Sequence, residues 1–210
     1  MDLKLVVLAS LLSPLTAFAT PLAVKDGKVT FLAKGNPGFL SVEGTGADVQ
    51  GKLNREGKSI TGDLRVQMDK FSVPIDLRNS HMRDTYLKVK EYPESTLKLT
   101  SFEVDAAGLA KEKPFKGTMK LRGVEKPVAG VASLDKDGKL TAEVVISLKE
   151  FGFEPIKYAT VKILDDVKIN VESTLVEEKV AAVVPAAVPA AAPAAAAAPA
   201  APVKPVKPVK

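Results

Sequence analysis

The chain has 210 residues, of which 46% are hydrophobic and 26% are charged, and its formal net charge at pH 7 is +5. This composition is typical of a soluble globular protein, and the length suits one domain with appendages. The sequence contains no Cys, no Trp and a single histidine, His81. These absences exclude disulfide frameworks, thiol nucleophiles, Cys-ligated metals and His-rich zinc sites, so we expect no metal and no cofactor.

The N-terminal residues have the layout of a secretory signal peptide. Lys4 provides a positive charge, a mostly apolar run follows over residues 5–12, and the segment AFA at residues 17–19 matches a small-x-small cleavage site. The run is too short to span a bilayer, which requires about 20 residues. We therefore predict a signal peptide over residues 1–19, cleavage after Ala19, and a mature protein that is periplasmic or secreted.

The central residues 20–179 are predicted to form one domain of antiparallel strands. Apolar and polar side chains alternate there with a period of two, as in residues 60–68, which is typical of strands with one dry and one wet face. Turn signals such as Asp137-Gly138 separate these stretches. The eight predicted strands are residues 22–34, 38–54, 58–70, 95–105, 112–122, 124–135, 138–148 and 161–177.

One insertion interrupts the strand pattern between the third and fourth predicted strands. Met82, Tyr86 and Val89 have the i, i+4, i+7 spacing of one helical face, and Pro93 prevents the helix from continuing. We predict one α-helix near residues 76–90. A shorter irregular or helical piece is predicted over residues 150–159.

Eight antiparallel strands with one apolar face form either a sandwich or a closed barrel. An eight-stranded barrel is just wide enough for one small ligand. Small inward residues such as Gly51, Gly62 and Gly117 either leave room for an apolar ligand or mark bulges in a solid barrel. The alternation by itself leaves both interpretations open.

Residues 180–210 are predicted to be a disordered tail. From residue 181 onward this tail contains only 14 Ala, 7 Pro, 6 Val and 3 Lys, a composition that cannot build a core. It either solubilises the protein or makes weak contact with an anionic envelope surface through its lysines. Because the tail supplies much of the positive charge and aromatic residues are few, we expect no nucleic-acid partner.

Three stretches of the sequence resemble the YceI-like family. Residues 76–99, DLRNSHMRDTYLKVKEYPESTLKL, resemble its helix-and-strand signature with His-Met-Arg followed by Tyr-Pro. Residues 117–128, GTMKLRGVEKPV, resemble its Gly-Val-x-Lys-Pro-Val hairpin. Residues 147–153, SLKEFGF, followed by residues 165–173, DDVKINVES, resemble its closing strand pair. Together with residues 31–46, the resemblance covers nearly all of residues 20–176.

The resemblance implies an all-β fold, an eight-stranded antiparallel lipocalin-like barrel that holds a polyisoprenoid or fatty-acid derivative in its lumen. The family is not known for a shared reaction. We therefore predict a periplasmic binding or carrier protein for a long-chain amphiphilic lipid, and not an enzyme. The alternatives are a non-catalytic envelope stress or scaffold protein that acts through its basic tail, and a hydrolase acting on a lipid head group. The sequence leaves open whether the protein forms a homodimer.

The predicted ligand site combines the inward faces of the strands with two candidate lids, residues 71–90 and 150–159. Arg78 and His81 share one helical face with Asp84, and they either bind a lipid head group or hold the helix on the barrel. The predicted lumen residues are Phe31, Leu64, Val66, Met68, Leu97, Leu99, Phe102, Met119, Leu121, Val144, Ile146 and Phe153.

Overall fold

The computed structural model describes residues 19–36, 38, 40–158 and 161–178, and most of these residues lie in nine antiparallel strands of one sheet. Side chains alternate between the two faces along these strands, and the apolar ones point inward, as the sequence pattern predicts. The strands are β1 (Thr20–Asn36), β2 (Ser41–Glu56), β3 (Ser59–Gln67), β4 (Glu94–Glu103), β5 (Ala110–Leu121), β6 (Val124–Leu134), β7 (Lys139–Ser147), β8 (Lys157–Tyr158) and β9 (Val161–Glu177).

The sheet closes into a barrel because β1 pairs with β2 on one side and with β9 on the other. Each of the other barrel strands pairs with its neighbours in the order β2, β3, β4, β5, β6, β7, β9. The short strand β8 pairs only with the start of β9 and adds a ninth strand outside the closed ring. The predicted eight-stranded antiparallel barrel is therefore confirmed.

The helical residues of the insertion lie between β3 and β4. A 3-10 turn (Met68–Lys70) follows β3, and an α-helix, α1 (Asp76–Ser80), continues directly into a π-helical turn (His81–Tyr86). The predicted helix is present, but it ends at Tyr86 and does not extend to residue 90. A further 3-10 turn, Leu148–Phe151, overlaps the start of the second predicted irregular piece and ends at Gly152, whose φ is +72°.

Both irregular connections lie at the same end of the barrel. The antiparallel order places the end of β3 and the start of β4 at this end, together with the end of β7 and the start of β9. The opposite end carries short connections such as residues 57–58 and 135–138. The barrel therefore has one end that carries the long connections, and we call this end the mouth.

Two sequence predictions concern residues that the structure does not describe. Of the predicted signal peptide, only Ala19 is described, and the tail at residues 180–210 lies outside the described residues altogether. Both stay predictions. Within the described ranges, no helix has the length and apolar character needed to cross a membrane.

Candidate functional site

The barrel contains a cavity of about 260 Å³ in the half nearer the mouth. All eight strands of the closed ring contribute to its lining, which is mostly aliphatic. An apolar cavity of on the order of 150 Å³ already stays dry and binds a benzene-sized guest. The cavity is therefore large enough for an apolar ligand, and its walls offer water few hydrogen-bonding partners.

The half of the interior away from the mouth is filled by side chains. Leu53, Ile60, Phe102 and Phe115 are each at most 4% exposed, and none of them lines the cavity. Phe102 pairs with Ile60 on one side and with Phe115 on the other, so three of these residues lie at one level of the barrel. We call this packed part the closed half and the part around the cavity the open half.

The polar groups of the lining come mainly from the mouth. They are Arg78, His81, Tyr86, Ser95 and Thr96. Ser95 is buried and its Oγ donates a hydrogen bond to the backbone oxygen of Lys120 at 2.9 Å, whereas His81 is exposed. The described lining contains no carboxylate. An amphiphilic ligand therefore fits best with its polar end at the mouth and its apolar chain in the open half.

Residues 71–87, which we call the mouth segment, are fixed to the barrel wall through backbone pairing. Ser72 and Thr45 exchange two backbone hydrogen bonds of 2.8 and 2.9 Å, so the mouth segment pairs with β2. The Asn79 side chain accepts a hydrogen bond from the Val73 N–H at 2.6 Å and donates one to the Val73 oxygen at 2.9 Å. These bonds connect the helical turn to the part of the segment that is held on the sheet.

Arg83 provides a second connection within the mouth segment. Its guanidinium donates from Nε and Nη2 to the backbone oxygen of Phe71, at 3.1 and 2.8 Å. Because the planar fork holds both donors on one acceptor, it orients the helical turn more strictly than one flexible cation could. Arg83 therefore acts in positioning the mouth segment.

Two aromatic rings, one on β1 and one at the start of the mouth segment, line the cavity side by side. The rings of Phe31 and Phe71 lie with their centroids 6.0 Å apart and tilted by 44°. A Cβ atom at Gly44 would overlap the Phe31 ring, and one at Gly46 would lie 2.9 Å from the Phe71 ring. Glycine at these two positions of β2 therefore lets both rings lie close against the wall.

The structure brings ten of the twelve predicted lumen residues into the cavity lining, together with Arg78 and His81. The other two, Leu99 and Phe102, are buried in the protein but do not line the cavity. Their side chains have the predicted inward orientation, but they lie deeper along β4. The ten that line it are Phe31, Leu64, Val66, Met68, Leu97, Met119, Leu121, Val144, Ile146 and Phe153. Their role in binding stays a prediction.

The sequence-based site omits much of the lining near the mouth. Phe71, Met82 and Leu87 line the cavity from the mouth segment, and Leu148 and Ile156 line it from the connection between β7 and β9. The predicted lids, residues 71–90 and 150–159, contain all of these except Leu148, but within the lids the sequence assigned only Arg78, His81 and Phe153 to the site. The alternation could have identified several missed strand residues, since these face inward too: Val29, Val42, Val128, Val167, Ile169 and Val171.

The small inward residues do not themselves provide the cavity volume. A Cβ atom at Gly51 would lie 2.7 Å from Leu64 Cδ2, and one at Gly117 would lie 2.6 Å from the Lys98 backbone oxygen. Gly62, at φ +142°, lies where the β3–β4 register shifts. These glycines therefore mark close backbone approaches and a bulge, although the barrel is also hollow.

The closed barrel, its half-filled interior and its mouth define the class of protein: a β-barrel that can take an apolar ligand into its lumen. Residues 22–175 match the YceI-like domain family. The chain belongs to this family, which confirms the resemblance found in the sequence. A search of curated proteins finds no significant match.

Several solved structures are similar to this chain, including the following two. A polyisoprenoid binding domain from Saccharophagus degradans, implicated in plant cell wall breakdown, is 15% identical with a TM-score of 0.58, and the match covers 75% of this chain and 98% of that one. BcnA from Burkholderia cenocepacia is 14% identical with a TM-score of 0.55, and the match covers 70% of this chain and 94% of that one. At these identities the similarity establishes the fold.

Proposed function

We propose that this protein binds an amphiphilic lipid in its barrel and carries it through the periplasm. The observation that carries the proposal is the apolar cavity of about 260 Å³ with its polar groups placed mainly at the mouth. Each methylene moved from water into such a cavity contributes about 0.8 kcal/mol, so the apolar chain supplies most of the affinity. The polar residues at the mouth then fix the direction in which the ligand enters.

Two further observations support this function. The similar domain from Saccharophagus degradans is described as binding polyisoprenoids, which are long apolar chains with a polar end. The signal-peptide layout of residues 1–19 favours a site of action outside the cytoplasm. We also propose binding without turnover, since none of the ion pairs among the described residues joins His81 to a carboxylate that would orient it as a general base.

The first test is to identify what the protein carries. The mature protein is purified without detergent from the periplasm of an expressing cell, extracted with organic solvent under denaturing conditions, and analysed by mass spectrometry. A stoichiometric amphiphilic compound supports the proposal and identifies its chemical class. A ligand-free protein that also fails to bind isoprenoid and acyl probes contradicts the proposal, and it would favour the scaffold function of the tail.

The second test places a charge in the cavity wall. Leu64→Arg and Met119→Arg each introduce a cation among apolar lining residues, where a buried unpaired charge is strongly unfavourable. Fluorescence competition with an acyl probe is expected to show at least about a 100-fold loss of affinity, equal to ~2.7 kcal/mol.

The matched control is Val145→Arg, because Val145 faces outward on β7 and is 56% exposed. Circular dichroism establishes that each variant is folded. Folded Leu64→Arg and Met119→Arg proteins that bind the probe as tightly as Val145→Arg would show that the ligand does not occupy this cavity.

A further inference from the structure

The barrel wall has a gap in its strand pairing between β6 and β7, on the side of the mouth. The two strands pair over residues 130–134 of β6 and 140–144 of β7. Among the described residues, 124–129 of β6 pair with β5 alone, and 145–147 of β7 pair with β9 alone. At about 3.3 Å per residue, both strands border this gap for on the order of 10 Å. We call this gap the slot.

The slot lies directly against the cavity, and the sequence explains why pairing ends there. The 3-10 turn Leu148–Phe151 follows β7 at once and ends the strand. On β6, Pro127 has no N–H to donate, and proline is tolerated in sheets mainly at strand edges. Val128 of β6 and Ile146 of β7 line the cavity beside the slot. The cavity wall is therefore incomplete in its backbone pairing at this place.

Side chains, rather than backbone pairing, connect the two edges of the slot. They come from residues 148–153, which we call the plug and whose 3-10 turn packs against β6 and β9. Phe151 is 1% exposed, and Phe153 lines the cavity. A Cβ atom at Gly152 would lie 3.9 Å from Val124 Cγ2, so the plug reaches the first residue of β6. Moving the plug therefore separates side chains and breaks no ladder between β6 and β7.

Arg122 holds the plug from the β6 side of the slot. It lies on the turn between β5 and β6, and its Cζ is 4.5 Å from the centroid of the Phe153 ring. Its Nε is buried with no hydrogen-bond partner among the described residues, so the ring is the main described contact of the guanidinium. A cation–π contact of this kind shifts an equilibrium by about 2- to 5-fold, which favours the closed plug without locking it.

We infer that the slot is a side entrance to the cavity: the plug moves outward and the apolar chain of the ligand passes between β6 and β7. This inference rests on the proposed function. A chain that enters sideways needs no free end to lead it, so the slot admits long and branched chains such as polyisoprenoids. Because the slot begins at the mouth, the mouth segment and the plug cover two parts of one opening, and the polar end of the ligand stays at the mouth.

The test is a disulfide across the slot, which is unambiguous in a chain without cysteine. Val124→Cys with Gly152→Cys joins the plug to β6, since their 3.9 Å contact suits the Cβ separation of about 3.5–4.5 Å that a disulfide requires. Stopped-flow fluorescence with an uncharged fluorescent long-chain alcohol measures uptake and release. The oxidised protein should exchange the alcohol at least about 10-fold more slowly at an unchanged Kd, because a closed route raises the barrier and leaves both end states as they are.

The reduced form of the same protein is the internal reference, because it has the same backbone strain at Gly152, whose φ is +72°. Reduction should restore both rates. The matched control is Val131→Cys with Glu143→Cys, which joins β6 to β7 where they already pair. Its oxidised and reduced forms should exchange the alcohol equally fast.

Arg122→Gln tests the same entrance without a disulfide, and its rates decide if the oxidised pair does not form. Loss of the contact with Phe153 should speed both uptake and release about 2- to 5-fold. Lys120→Gln removes an equal charge from an exposed position two residues away and should change neither rate.

The outcomes separate the inference from the proposed function. No binding of the alcohol or of an acyl probe by the unmodified protein would contradict the proposed function itself. Three results would overturn the side entrance while leaving lipid binding intact: equal exchange by the oxidised and reduced slot disulfide, equal slowing by the control disulfide, or unchanged rates in a folded Arg122→Gln protein. A changed Kd with an unchanged release rate would also overturn it, since the plug would then be part of the binding site and not a gate.

Discussion

Arg78 and His81 are the two basic side chains of the described cavity lining, and their position at the mouth suits an anionic head group. We expect Arg78→Gln to weaken binding of a fatty acid about 10-fold, because a hydrogen bond to a charged group contributes ~1.5–3 kcal/mol and water at the mouth screens part of it. The fatty alcohol of equal chain length should change less than about 2-fold. Calorimetry at fixed ionic strength measures both affinities.

His81→Gln is the companion variant for the head-group prediction. Because His81 is exposed, its replacement should weaken fatty-acid binding less than Arg78→Gln does. Equal weakening of acid and alcohol by Arg78→Gln would instead show that Arg78 holds the mouth segment in place. That result would favour the structural interpretation of this helical face, which the sequence left open.

At the scale of single residues, the sequence predicts the side to which a strand residue points but not its depth. Leu97 and Leu99 are two positions apart on β4 and both face inward, yet only Leu97 lines the cavity. The depth of each residue depends on the tilt of the strands and on their register. The register between β4 and β5 also shifts between Leu99 and Ser101. Alternation with a period of two contains no information about either quantity.

At the scale of elements, the π-helical turn explains why the predicted helical face was only partly right. The Leu87 N–H donates to the Met82 oxygen at 2.7 Å, which spans one residue more than an α-helical bond. Met82, Tyr86 and Leu87 all line the cavity as a result, whereas Val89 does not. A spacing rule based on 3.6 residues per turn cannot detect the wider turn that places Leu87 on that face. It also includes Val89, which lies beyond Tyr86, where the helical residues end.

The mouth segment is expected to control how fast the ligand leaves. Asn79→Ala and Arg83→Met each remove the hydrogen bonds that join the helical turn to residues 71–73. A neutral hydrogen bond contributes ~1 kcal/mol and a charged one more, so the double variant should release ligand about 10-fold faster or more. Stopped-flow displacement measures release, and hydrogen exchange should show faster exchange within the mouth segment.

Thr85→Ala is the control for this prediction, since Thr85 is exposed on the same helical turn. Its release rate should match that of the unmodified protein, and the amides of β3 and β4 should exchange equally slowly in all variants. Unchanged release from the Asn79→Ala, Arg83→Met protein would mean that the ligand leaves without movement of the mouth segment.

At the scale of the whole molecule, barrel closure could be predicted, but the division into two halves could not. Eight alternating strands and the family resemblance together predict the closed ring. The distribution of volume inside it depends on which level holds the large rings of Phe102 and Phe115 and which level holds glycine on neighbouring strands. That arrangement is a product of cross-strand register, which is established only when all eight strands pair.

A Leu→Ala substitution is expected to destabilise the closed half more than the open half. Leu53 is 1% exposed in the closed half, so Leu53→Ala leaves an internal void and should lower the free energy of unfolding by ~2.7–5 kcal/mol. Leu97 already faces the cavity, so Leu97→Ala loses mainly transfer free energy, about 1–2 kcal/mol. Urea denaturation of the two variants measures this difference.

Ligand is expected to narrow the difference in stability between the two variants. A ligand at 100 times its Kd raises the free energy of unfolding by ~2.7 kcal/mol, because it binds the folded state alone. Leu53→Ala should keep this whole increment, since its side chain does not contact the cavity, whereas Leu97→Ala should lose part of it through weaker contact with the chain. Denaturation with and without a fatty acid that binds the protein tests this expectation. An equal increment in both variants would mean that Leu97 does not contact the ligand, and a lost increment in Leu53→Ala would mean that the packed half and the cavity fold as one cooperative binding unit.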